Sequence, residues 1–365
     1  MSAAPIVITG LGSISAYGPR RGGVSGPGAG LQVVTRWATA GTRRAFLVPP
    51  FRPADVIPGL KTRRLDRLSG WALVAAGLAL QDAGLEPGRF DPERAGVSFG
   101  TAFGCLDLTE AFMQSVAANG HTRADPILFP ETLGNQPGSH VARHYGLKGP
   151  NVTLSRGLMS GEAALIEAVG LLESGEASVV VTMAGDPITR GLLEWYEAAG
   201  LLAGDCYGEP GADGGAGHLI PGEGLCAVVL ETAEHAGGRG AAAQASVLAV
   251  IAEGRASGGP RDVTRWAGAI RRVLVPHGGV GALRVLVEGA GVGVTADALG
   301  FACARPAGLV ELRPQREAGA FGGSGIMGVA AAIGAVAAAA GTALVLGADG
   351  GDRATVVLGL EGGRR

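Results

Sequence analysis

Apolar residues in this chain fall into short β-branched runs separated by longer amphipathic stretches, and that alternation predicts an α/β protein. Strands are expected at Ile6–Thr9, Val97–Phe99, Val152–Leu154 and Val179–Thr182, with helices across 64–83, 111–116, 139–145 and 160–174 between them. Strands joined through helices predict a parallel sheet. In the helix at 160–174, Leu165, Ile166, Val169 and Leu172 make one apolar face, and Glu162, Glu167 and Glu173 are expected outside it.

After Gly222 the pattern starts again, with strands at Cys226–Leu230, Val247–Ile251 and Val285–Val287 and a helix at Val263–Leu274. Helix, glycine, strand, glycine occurs twice: Ser160–Ser174, Gly175, Val179–Val181, Gly185, and then Gly325–Ala340, Gly341, Ala343–Leu346, Gly347. The chain is therefore expected to be two similar halves, 1–240 and 241–365. Glycine-rich stretches at 22–30 and 208–217 read as surface loops.

Composition narrows the function classes. With 365 residues, 47% of them hydrophobic, the chain can bury a full-sized core. A formal net charge of −2 without long charged blocks leaves no footprint for nucleic acid or anionic membrane, so the expected partners are proteins or small molecules. Four scattered cysteines form no CxxC pair, which argues against a zinc site or disulfide scaffold and for a reducing cytoplasm. The first residues read as a strand rather than a signal peptide. The uncharged stretch 326–348 is mostly Ala and Gly and is divided by Gly341-Thr342, so it reads as a buried helix and a strand rather than a membrane span. No cofactor is indicated, because Gly10-Leu11-Gly12 lacks the rest of a dinucleotide fingerprint.

Six blocks resemble, in order, the β-ketoacyl synthases of the thiolase fold. They are IVITGLGSISAYG at Ile6–Gly18, RRLDRLSGWALVAAGLALQDAGL at Arg63–Leu85, GVSFGTAFG at Gly96–Gly104, PILFPETLGN at Pro126–Asn135, GLKGPNVTL at Gly146–Leu154 and PGEGLCAVVLETAEHAGGRGA at Pro221–Ala241. The resemblance implies a thiolase-like fold of two βαβ-type halves in a layered αβαβα arrangement. It also implies a nucleophilic cysteine at a strand-to-helix elbow, where a helix N-terminus lowers the thiol pKa, and two histidines that donate to developing oxyanions.

None of the three matches here. Leu158 falls at the nucleophile within Thr153–Gly161, Ala290 replaces the first histidine in Glu288–Val294, and Ala320 or Gly319 stands at the second in Gln315–Gly325. Ser155 and Ser160 are candidates for a displaced nucleophile, with a helix N-cap the plainer role for Ser160 or a neighbour. The six histidines, His121, His140, His144, His218, His235 and His277, fall outside these blocks, and most are expected at the surface or at helix ends. GADGGDRA at Gly347–Ala354 puts Asp349 where the family carries an aromatic gate.

A retained scaffold without condensing residues is similar to the chain-length factors of type II polyketide synthases. That resemblance implies a non-catalytic subunit that heterodimerises with an active ketosynthase, shapes its acyl pocket and meets the acyl carrier protein that carries the growing chain. The aromatic-polyketide members carry glutamine at the nucleophile position. Leu158 argues against an auxiliary role in decarboxylation, and the short length and the LFP-x-T-x-x-N segment are more similar to subunits serving polyene or highly reduced chains. The implied pocket and interface residues are Phe103, Phe112, Met113, Phe129 and Asn135, with strand 152–154 pairing across the interface. Two alternatives stay open: an acyltransferase or hydrolase with relocated chemistry, for instance at Cys105, and a homodimeric acyl-binding protein.

Overall fold

The computed structural model of the chain describes residues 5–23, 32–33, 44–86, 88–202, 221–253, 266, 268–270, 272–277, 283–288, 310–312, 324–335, 341–349 and 352–360. Ala290, Ala320, Gly319, His218 and the glycine-rich stretches 24–30 and 208–217 lie outside the described residues.

The elements run β1 (Ile6–Ser15), β2 (Gly18–Arg21), β3 (Gln32–Val33), β4 (Arg44–Ala45), α1 (Pro53–Val56), α2 (Arg67–Asp82), β5 (Ala95–Gly100), α3 (Leu106–Asn119), α4 (Gln136–Tyr145), β6 (Asn151–Leu154), α5 (Ser160–Glu173), β7 (Val179–Asp186) and α6 (Arg190–Ala198). They continue with β8 (Gly224–Thr232), α7 (Ala233–Gly238), β9 (Ala245–Glu253), β10 (Leu283–Glu288), β11 (Val310–Leu312), α8 (Ser324–Ala335), β12 (Gly341–Asp349) and β13 (Asp352–Leu360).

Ten strands lie side by side in the order β11-β10-β12-β13-β9-β1-β8-β7-β5-β6, with β2 paired to β1. The order reads the same from both ends. β5 pairs parallel with β6 and β7, and β7 antiparallel with β8. β10 likewise pairs parallel with β11 and β12, and β12 antiparallel with β13. β1 and β9 meet antiparallel in the middle. The sheet is therefore mixed, not parallel throughout as the strand-helix alternation implied. Direction is decided by pairings such as Ile6 with Thr232, which no local pattern encodes.

Alternate residues of the central strands serve two cores. On one face Val180, Ala184, Val228 and Leu230 pack with Leu165 and Val169 of α5, Ile326 and Val329 of α8, and Val345 and Leu358 from the other five strands. On the opposite face Val181, Met183, Ala227 and Val229 meet α2 and Val141 of α4. On the far side of β13, the buried Trp266 donates from Nε1 to Thr355 Oγ1 at 2.9 Å. The layers thus follow the αβαβα order. Because α5 lies in the shared middle layer, Glu162 is buried at 2% exposure, which corrects its expected place outside the apolar face.

α2 is seated directly on β1. A Cβ on Gly10 or Gly12 would stand 2.2 Å from the carbonyl oxygen of Ala79 or Ala75, so only glycine lets the helix approach this closely. The uncharged stretch near the C-terminus forms α8 and then β12, with Ile326, Met327 and Val329 buried. Among the described residues no helix is long and apolar enough to cross a membrane.

Candidate functional site

The chain leaves β6 at Leu154, turns through 155–159 and enters α5 at Ser160. Leu158 sits at that elbow, half-buried, two residues before the helix. Gly157 takes φ +54°, a value L-residues rarely adopt, and lets the elbow fold back. Met159 is the N-cap and Ser160 the first helical residue, so Ser160 is not the cap. Its buried hydroxyl instead accepts from Arg156 N at 2.9 Å and donates to Gly157 O at 2.7 Å, pinning the elbow. Gly100, at the end of β5, presses on the same point: a Cβ there would stand 2.1 Å from Ser160 O. Ser155 is exposed, with its hydroxyl 3.5 Å from Ala102 O, beyond a good hydrogen bond. At this elbow Leu158 carries neither thiol nor hydroxyl, and the hydroxyl of Ser160 is engaged with the elbow's own backbone.

Beside the elbow runs the glycine turn 101–104. Gly104 adopts φ +70° and lies against Gly134, so the turn touches the segment carrying Phe129 and Asn135. The buried carboxylate of Asp186, at the end of β7, accepts from Thr101 Oγ1 at 2.6 Å and from the amides of Ala102 and Phe103, each at 2.9 Å. Phe103 is half-buried, and its ring meets Tyr196 of α6 edge-on, centroids 6.3 Å apart.

From Cys105 the chain enters α3, longer than the expected 111–116, in which no residue is buried. Phe112 packs on Phe129 with centroids 5.6 Å apart, and Thr109 Oγ1, which donates to Cys105 O at 2.8 Å, lies 3.3 Å from Thr132 O, so α3 sits against the turn at 129–132. Met113 at 58%, Ile127 at 71%, Phe129 at 52% and Leu133 at 43% exposure make an apolar patch on this side. Asn135 is exposed at the N-cap of α4, where its carbonyl rather than its side chain accepts from Ser139. β6 is the last strand of the sheet, paired only with β5 among the described residues. Phe103, Phe112, Phe129 and the elbow thus belong to one connected region, while Met113 faces outward.

Several other reactive groups among the described residues are engaged elsewhere. Cys105 is buried, and desolvation together with nearby Asp66 pushes its thiol up to about 12, an inert state at neutral pH. Burial does the same to Cys226. His140, expected at a surface or helix end, is buried against Glu131, with Nε2 2.8 Å from Oε2, and its Nδ1 accepts from Arg143 at 2.6 Å. His235 pairs with Glu231 at 2.6 Å. Asp349 closes β12, opposite Asp352. Among the described residues no cluster of three or more His, Cys, Asp or Glu could hold a metal. A cavity of about 520 Å³ opens at the start of α2, lined in part by Pro49, Phe51, Arg67 and Trp71, and none of the site residues expected from sequence lines it. Its Arg67 is committed to Asp107 and Glu223, each at 2.8 Å.

Asp186 and Asp66 are the organising residues that sequence reasoning missed. Asp66 accepts from Leu68 N at 2.8 Å and Leu108 N at 3.0 Å, holding the first turns of both α2 and α3.

Residues 33–236 match the family model for the N-terminal domain of beta-ketoacyl synthase. The chain is 30% identical over 259 residues to nodulation protein E of Rhizobium leguminosarum bv. trifolii, an alignment covering 69% of this chain and 64% of that protein. It thus spans less than two thirds of that relative's length. Among solved structures it is similar to the ishigamide ketosynthase/chain length factor, with a TM-score of 0.83, 21% identity and coverage of 99% of this chain and 100% of that one. A type II polyketide synthase acyl-carrier protein in complex with its ketosynthase bound to the hexaketide gives a TM-score of 0.77 at 17% identity, covering 99% and 100%. At these identities the likeness establishes the thiolase-like fold.

Proposed function

From its membership of the β-ketoacyl synthase family, to which the chain belongs, we propose that it is a non-catalytic chain-length-factor subunit of a type II polyketide synthase. The observation that carries this reading is Leu158 at the elbow between β6 and α5. A thioester needs a thiol there, and leucine supplies none. The buried Cys105 and the backbone-bound Ser160 support the reading by removing two of the possible substitutes. Ala290 and Ala320, standing where the family's histidines are expected, complete the degenerate set by sequence alone.

The partner in this reading is a catalytic ketosynthase, bound in the cytoplasm as a heterodimer, with the growing chain delivered on an acyl carrier protein. Contact runs through the free edge of β6, the uncovered α3 and the segment Phe129–Asn135. Such an interface needs on the order of 2,000 Å² or more of largely apolar surface. Phe103 and Phe112 then border the acyl space, in a polyene or highly reduced system. The two units are residues 1–240 and 241–365.

The test is purification alone and with a co-expressed catalytic ketosynthase, assaying malonyl decarboxylation and condensation on carrier protein. The chain alone should turn over nothing, and Leu158→Cys should not rescue it. Turnover by the isolated chain would overturn the non-catalytic reading. A stable homodimer that no ketosynthase displaces would instead mark an acyl-binding protein.

A further inference from the structure

We propose that Asp186 is the positioning residue that fixes where Phe103 stands, and so helps to set the acyl length the pocket admits. The inference rests on the reading of Phe103 as a wall of the acyl space. Its structural basis is independent of that reading. Asp186 ends β7 at 1% exposure, and three successive residues of the glycine turn converge on its carboxylate. Oδ1 accepts from Thr101 Oγ1 at 2.6 Å, Ala102 N at 2.9 Å and Phe103 N at 2.9 Å, while Oδ2 lies 3.2 Å from Ala102 N. Thr101 Oγ1 in turn accepts from Gly104 N at 2.8 Å, closing the turn on itself.

A carboxylate this deep is tolerable only where donors replace its water, so the turn cannot move without stripping it. The same segment also holds the ring of Phe103. After β7 the chain caps α6 with Thr189, which donates to Glu110 of α3, and α6 brings Tyr196 edge-on to Phe103. Backbone and ring of Phe103 are therefore both fixed by residues 186–196, more than 80 positions away in sequence.

Four variants of the full chain test this: Asp186→Ala, Asp186→Asn, Thr101→Val and Phe103→Ala. Amide hydrogen exchange at Ala102 and Phe103 should be about tenfold faster or more in Asp186→Ala and faster, to a smaller degree, in Thr101→Val. It should lie between wild type and Asp186→Ala in Asp186→Asn, whose amide oxygen can take the place of Oδ1 while its NH2 group cannot accept from Ala102 N. Unchanged exchange in a folded Asp186→Ala or Thr101→Val chain would overturn the clamp. In complex with the catalytic ketosynthase and fed malonyl carrier protein, a released turn should broaden product lengths toward those of Phe103→Ala, with Asp186→Asn closer to the wild-type spectrum than Asp186→Ala. If Phe103→Ala shifts the lengths and the released turn does not, positioning by Asp186 is wrong and the wall stands. If Phe103→Ala shifts nothing, the wall itself falls, and the inference with it.

Discussion

α2 and α3 begin from the same carboxylate, that of Asp66, and differ little in length, yet thirteen of the sixteen residues of α2 are buried and none of the fourteen in α3. Intrinsic helix propensity does not separate them; what covers them does. α2 lies between β1 and α4 in one of the two cores, while α3 packs on the turns at 121–123 and 129–132 with its apolar residues at most half-buried and Met113 exposed. A buried helix answers to the fold of its own chain, and an uncovered apolar one calls for a surface from another. The sharpest way to break the contrast is to push α2 off its seat. Gly12→Val places new atoms 2.2 Å from Ala75 O and should cost about 3 kcal/mol or more. Met113→Glu, on the exposed face of α3, should stay within about 0.5 kcal/mol. Urea midpoints decide it, and equal midpoints would mean that α2 is not in close contact with β1.

A second experiment asks whether the uncovered side is an interface. Phe129→Ala and Met113→Glu remove or charge apolar surface exposed at 52% and 58%. Binding to the catalytic ketosynthase should weaken by about 2 kcal/mol for the better anchor, roughly thirtyfold in Kd, without loss of stability. Phe129 is expected to be that anchor, because it packs on Phe112 and is already ordered. Titration of each purified variant against labelled ketosynthase measures it, and wild-type affinity in both would move the interface elsewhere.

This contrast also marks what could be read in advance. The strands stood out because β-branched runs such as Val179–Val181 leave few other folds, and the duplication because glycines bracket α5 with β7 and α8 with β12 at similar spacing. The elbow at Leu158 was legible for the same local reason. Residues whose partners are distant were not. Asp186 carries no motif because its partners are backbone amides 83 and 84 residues away, whereas the buried Glu162 lies three and seven positions before Leu165 and Val169, on their own face of α5. Whether the sheet is parallel depends on pairings between β1 and β8 across more than 200 residues. Charge near an apolar run shows in a sequence; the donor that meets it does not.

Asp66 offers the finest test, because it joins the two helices through one group. Burial pushes its carboxyl up to about 6, against the pull of the Leu108 and Leu68 amides and of Arg67, with Asp107 adding to the rise. In the unfolded chain the same group titrates near about 4. Between those values the folded protein keeps a proton that the unfolded chain has released, so stability falls as pH rises through the window and levels off above it. Asp66→Asn cannot titrate, and the carboxylates that do not interact with Asp66 act on both proteins alike. The stability of wild type minus that of Asp66→Asn should therefore decrease from about pH 4 to about pH 6, by roughly 2 to 3 kcal/mol. Denaturation of both proteins at half-unit steps gives the curve directly. A difference that rises with pH would mean that the two amides outweigh burial and that the shared start of α2 and α3 is held by a carboxylate throughout.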